Sequence, residues 1–254
     1  MSSLWALTRK ELRVLLLSPV AYVVAGMFLI LMGYLYFNAV SYFTLISVQA
    51  GQMPMVTRPN LTRDVFLPTY GNMGVVLIFL LPLLTMRLFA EERRAKTLEL
   101  LMTSPIGILQ MVLGKYLAVL ILYVGLLACT VYMPLFMAAY GELSWGPVLT
   151  SYLGLLLLGS AALALGVFAS SLTENQVIAA AVAFGGLLLL WVIGWISHSA
   201  GPGLGAFLTS LSLIEHLDRF LRGLLDTRDV VYYLSVTAFF LFLTHRVVES
   251  HRWR

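Results

Sequence analysis

Polar and apolar positions divide the chain into long oily runs separated by short polar breaks. Six runs are long enough for a helix to cross a bilayer core, which takes about 20 residues: roughly 20–43, 70–89, 110–140, 147–170, 176–196 and 230–248. Within each run apolar residues are continuous rather than alternating, which predicts helices and not barrel strands. The pattern therefore predicts an all-α polytopic membrane protein, one transmembrane domain over 1–254.

Several breaks have order of their own. In "MSSLWALTRKELRVLLLSPV", Leu4, Trp5, Leu12, Leu15 and Leu16 share one helical side and Arg9, Lys10 and Arg13 another, which predicts an interfacial helix over 1–18. "FAEERRAKTLELLMTSPIG" crowds Glu91, Glu92, Arg93, Arg94, Lys96 and Glu99 beside Leu98, Leu100, Leu101 and Met102. That combination predicts an amphipathic helix over about 90–103, ended by Ser104-Pro105 and Gly107. In "SSLTENQV", Thr173 and Gln176 have capping-box spacing, so Thr173 is expected to start the fifth span; Glu174 reads as a solvated turn charge. Between spans five and six, 204–226 is too polar to cross a membrane. Its leucines and Ile214 recur with helical period, and Gly223 is placed to end or kink the helix. In span four, Gly159, Ala162, Gly166 and Ala169 fall on one face, where a neighbouring helix can approach closely.

Composition sharpens this picture. The 254 residues are 60% hydrophobic and 11% charged, with mean hydropathy +0.92, whereas soluble domains are about 25% charged. The net charge of +4 does not point to nucleic acid, because the basic residues flank the apolar runs. Arg9, Lys10, Arg13, Arg87, Arg93, Arg94, Lys96, Arg246, Arg252 and Arg254 fall on one side, with Lys115 able to snorkel there. Only Arg58, Arg63, Arg219, Arg222 and Arg228 fall on the other. The bias predicts both termini in the cytoplasm. No cleavable signal is expected, since no small-residue site follows the first run.

Little catalytic chemistry is visible. One cysteine, Cys129, excludes an intrachain disulfide. The four histidines have no ligand spacing, so no metal site is expected. The span centres lack the Asp, Glu and Arg that ion-coupled carriers keep in their pathways. Gly114-Lys115 lacks the rest of a phosphate loop, so any ATP-driven work needs a partner.

On these residues the chain resembles a known family. "PLLTMRLFAEERRAKTLELLMTSPIGILQMVLGKYLAVL", Pro82–Leu120, resembles the central block of ABC-2 type transporter permeases. "IEHLDRFLRGLLDTRDVVYYLSVTAFFLFLTHRVVESHRW", Ile214–Trp253, is similar to their gliding-motility-associated branch. The resemblance implies a type V exporter-like plan in the bacterial inner membrane: N-terminal interfacial helix, six spans, an inner coupling helix and short outer re-entrant helices. It implies two permease copies, a homodimer by default, on two cytoplasmic ABC ATPase subunits. ATP and Mg would be bound by those subunits and no cofactor by this chain. The coupling residues would be Glu91, Glu92, Arg93, Arg94, Lys96, Thr97, Glu99 and Leu100, and the outer gate would be His216, Phe220 and Gly223. Many relatives carry glycine where this chain has Lys96. The branch also implies a membrane-anchored periplasmic auxiliary protein.

The expected function is thus the permease subunit of an ATP-driven transporter that exports or extracts a lipid-like or polymeric substrate, or transmits force to a periplasmic partner. The alternative is a membrane scaffold that anchors an ATPase or assembly complex without transport. An intramembrane enzyme is disfavoured by the missing polar constellation.

Overall fold

The computed structural model describes residues 2–52, 60–97, 107–141, 143–199 and 201–251. Eleven helices are found among them: α1 (Ser2–Leu17), α2 (Pro19–Gln52), α3 (Leu67–Thr85), α4 (Ala90–Arg94), α5 (Ile108–Cys129), α6 (Tyr132–Tyr140), α7 (Trp145–Leu172), α8 (Gln176–Ser199), α9 (Pro202–Leu211), α10 (Leu213–Leu221) and α11 (Thr227–His251). A π-helical turn, Thr62–Phe66, leads into α3. The described residues contain no strand.

Six stretches are long and apolar enough to cross a membrane: Pro19–Ala50, Thr62–Arg94, Ile108–Tyr140, Trp145–Leu172, Gln176–Ile196 and Thr227–His251. The third is not one helix. Pro134 has no N–H to offer Thr130, and its ring crowds that carbonyl. The helix accordingly breaks at Thr130 and Val131 and restarts as α6. Thr130 Oγ1 turns back to donate to Leu127 O (2.7 Å).

Helix α7 is the central post. Its most apolar stretch is 83% buried, against 22% for α2 and 11% for α11. It packs on α3, α5, α8, α10 and α11. The small-residue face of span four now has named partners. A side chain at Gly159 would strike the ring of Tyr123 on α5, and one at Gly166 would strike Thr85 on α3. Tyr123 Oη donates to Leu155 O (2.5 Å), so the ring is held by hydrogen bonding as well as by fit.

Two sequence expectations need correcting. Helix α1 does not bury the expected side. It buries Leu7, Glu11 and Leu15 against α5, while Trp5 and Leu16 are exposed. The reason is a charge partner: Lys115 on α5 draws Glu11 inward. The fifth span is capped not by Thr173 but by Asn175. Asn175 Oδ1 accepts from Val177 N (2.9 Å), while Thr173 Oγ1 accepts from Asn175 N (3.1 Å).

Candidate functional site

The charged stretch begins where α3 ends. The chain turns over Met86–Phe89 before α4, leaving backbone groups that need partners. One hydroxyl on α7 supplies them. Ser170 Oγ accepts from Phe89 N (3.0 Å) and Ala90 N (3.1 Å) and donates to Met86 O (3.0 Å). The elbow is thereby fastened to the central post.

Its charges divide into two sets. The inward set wires the elbow to its surroundings. Glu92 Oε1 meets Lys115 Nζ at 2.7 Å, and Glu11 Oε2 meets the same ammonium at 3.1 Å. Lys115 is 1% exposed, Glu11 7% and Glu92 16% by side chain. Lys115 therefore does not snorkel to the surface as expected; the buried Glu11 and the largely covered Glu92 hold it in the interior. Its ammonium also lies 5.3 Å from the Phe89 ring centre, within cation–π reach. Arg93 donates to Ser171 O at the end of α7 (2.8 Å) and lies 3.7 Å from Glu174. A cation there opposes the negative end of the α7 dipole. Arg87 pairs with Glu91 (3.0 Å) and also donates to Ser18 Oγ, next to the start of α2. A cavity of about 150 Å³ lies against Lys10, Glu11, Arg87, Glu91, Glu92 and Lys115. Glu11 Oε1 and Glu92 Oε2 are buried without a hydrogen-bond partner among the described residues. The cavity has room and polar partners for water.

The outward set is Arg94 and Lys96, joined by Glu91, which stays exposed in its pair with Arg87; the neutral Thr97 beside them is exposed too. The continuous helix expected over 90–103 is interrupted: α4 stops at Arg94, and Ala95–Lys96 form a turn. Lys96 has φ 55°, alone among the described non-glycine residues. Left-handed backbone favours glycine; here a lysine adopts it. Residues 98–106, with Glu99 and Leu100, lie outside the described residues.

The three gate candidates gather at the other end of α7. Helix α10 buries Leu213, Leu217, Phe220 and Leu221. It sits so deep that a Cβ on Gly74 of α3 would lie 2.5 Å from Leu217, and one on Gly154 of α7 would lie 2.7 Å from Phe220. Thr150 Oγ1 donates to Phe220 O (2.7 Å), and Tyr233 Oη donates to Leu213 O (2.7 Å). Gly223 adopts φ 83°, where the chain leaves the helix. His216 belongs to a buried ion cluster. Its Nδ1 lies 2.5 Å from Oδ1 of Asp229, which Arg219 approaches at 2.6 Å. Asp229 is fully buried in the first turn of α11, where the helix dipole favours an anion.

Sequence reading missed both ion clusters. Glu11, Glu92 and Lys115 are far apart in the chain, and no spacing rule joins them. The start of α10 did carry a signal: Ser212 and Glu215 have capping-box spacing, and Ser212 Oγ accepts from Glu215 N (3.4 Å).

The exposed charged elbow is thus fastened into a bundle with six stretches long and apolar enough to cross a membrane. No curated protein matches the chain. The family model for "ABC-2 family transporter protein" matches residues 39–211, well over half of the 254. The match takes in the elbow, the central post and the breaks on either side of it: this multi-pass membrane protein belongs to the ABC-2 family of transporters.

Proposed function

We propose that the chain is the permease subunit through which a separate cytoplasmic ABC ATPase drives substrate across a bacterial inner membrane. Membership of the family implies the ATPase partner; the coupling route is our reading. One observation carries it: the exposed face of the elbow is joined through Glu92 and Lys115 to α5 and α1, and through Ser170 to α7. A push on Arg94, Lys96 or Glu91 would reach three helices through buried, hydrogen-bonded contacts. Buried ion pairs have defined geometries, so they transmit displacement between discrete arrangements rather than absorbing it.

In this reading both termini are cytoplasmic, two copies of the chain pair, and each engages one ATPase. ATP and Mg are held by the ATPase. The exposed charges set register on its surface more than they add affinity. The substrate is amphipathic, lipid-like or polymeric. The gate lies at α10, around His216, Phe220 and Gly223. The likeness of Ile214–Trp253 to the gliding-motility-associated branch is the ground for a periplasmic auxiliary partner. That block falls wholly outside the matched residues 39–211.

Two variants separate docking from transmission. Reversing the exposed charges, Arg94→Glu with Lys96→Glu, should strip the ATPase from the permease in a mild-detergent pull-down. Glu92→Gln should leave the ATPase bound but reduce substrate-stimulated ATP hydrolysis in vesicles. ATPase retained equally by the double reversal and the wild type would place docking elsewhere. Hydrolysis that no substrate stimulates, with the ATPase bound, would favour the scaffold.

A further inference from the structure

An apolar cleft of about 340 Å³ runs between α1, α2 and α5. Helix α1 offers Leu12 and Leu16, α2 offers Ala25, and α5 offers Leu122, Gly125 and Cys129. Along α5 the lining extends from Ile121 to Cys129, a rise of about 12 Å. The cleft is thus long and narrow, and its axis follows the membrane-spanning helices.

Its α1 end carries charge. Arg9 and Arg13 are exposed; contrary to the sequence expectation that set them on another side, they stand one turn from Leu12 and Leu16 on the same helical stripe, at the i, i+3, i+4 and i+7 register. Neither makes an ion pair among the described residues; Glu11, the acid between them, is turned to Lys115. Trp5, 63% exposed, continues the stripe one turn earlier. Indole rings favour the headgroup layer. Two free guanidiniums, an indole at the interface and a narrow apolar cleft descending from them match one molecule: a lipid with an anionic phosphate head and an acyl tail.

We propose that this cleft is a binding site for an anionic phospholipid, with the phosphate on Arg9 and Arg13 and one acyl chain along α5 as far as Cys129. Such a lipid would sit on the outer flank of α1, whose inner flank carries Glu11. It would therefore bias the same helix that the Lys115 cluster holds. The site rests on the chain crossing a bilayer and is independent of ATPase docking.

The full chain, reconstituted in phosphatidylcholine vesicles, would be exposed to phosphatidylglycerol with a photoactivatable acyl chain, and the crosslinked peptides mapped. Crosslinks should concentrate on 121–129. Unlabelled phosphatidylglycerol should compete better than phosphatidylcholine, by about fivefold for each arginine. Arg9→Gln with Arg13→Gln should bring the two competitors level while the crosslinks stay in place. Both side chains are exposed, so folding does not depend on them. Gly125→Phe should abolish the crosslinks; a Cβ at that position meets no heavy atom within 4 Å, so the side chain leaves the helix into open space. Crosslinks spread evenly over the lipid-facing helices would overturn the proposal. So would equal competition by both lipids in the wild type, or a Cys129–Cys129 bridge between copies that excludes the probe.

Discussion

Lys115 shows how one residue changes the meaning of a stretch. Its neighbours in sequence are apolar, and a lone lysine there would be expected to stretch toward water. Instead it holds two carboxylates from different parts of the chain, at 2.7 and 3.1 Å. Taking these groups out of water is costly, and the cost is offset only while all three remain together. Lys115→Met would leave Glu92 with no cation beside it and Glu11 with only the exposed Lys10 at 3.4 Å. The expected loss is about 3–5 kcal/mol of stability, read as a lowered unfolding midpoint in detergent. Replacing all three with methionine should lose far less, since no buried charge is then left alone. A triple variant as unstable as Lys115→Met would show that packing, not charge pairing, holds the site.

At the scale of elements, α10 is a short amphipathic helix that owes its position to others. Nine residues are too few to form a stable helix alone. Its apolar side fits between Gly74 and Gly154, its ends are fastened by Thr150 and Tyr233, and its charged side is fastened at Asp229. Asp229→Asn should loosen α10 without unfolding α7. Arg219 is partly exposed, so solvent screening lowers its share, and the lower part of the range for a charged hydrogen bond applies, about 1.5 kcal/mol or more. That corresponds to amide exchange at least about tenfold faster over Leu213–Leu221, with α7 unchanged. Exchange that rises equally in both helices would mean that Asp229 supports the whole bundle rather than the seating of one helix.

Across the whole molecule the two polar clusters occupy opposite ends of α7. Thr150 serves α10 and Ser170 serves the elbow, which places them about 30 Å apart along the helix, the thickness of a bilayer core. The clusters should therefore lie on opposite faces of the membrane. In a Cys129→Ala background, Arg94→Cys should react with a membrane-impermeant maleimide only from the cytoplasmic side, and Asp218→Cys only from the outside. The opposite pattern would invert the orientation predicted from the basic residues. Labelling of both from one side would contradict the bundle itself.

Hydrophobic periodicity alone was enough for the class of fold, the number of spans and the place of the charged stretch, because each depends only on residues near one another in the chain. Composition and the Pro82–Leu120 block were enough for the family, whose model matches residues 39–211. Thr173 and the continuous helix over 90–103 misled, since Asn175 and the Lys96 turn decide those boundaries through local geometry that spacing rules do not resolve. The sequence could also offer four charges in a row, Glu91 to Arg94, without saying which face inward. Only the tertiary structure decided that. Glu92 is turned inward because Lys115 lies opposite it across 23 positions of chain, Arg93 turns to the end of α7, and Arg94 is left to the solvent. The pairing of distant charges is set by which helices touch, and helices that are apolar all round leave that choice to close packing, to glycines such as Gly159 and Gly166, and to the few polar groups that must find one another away from water.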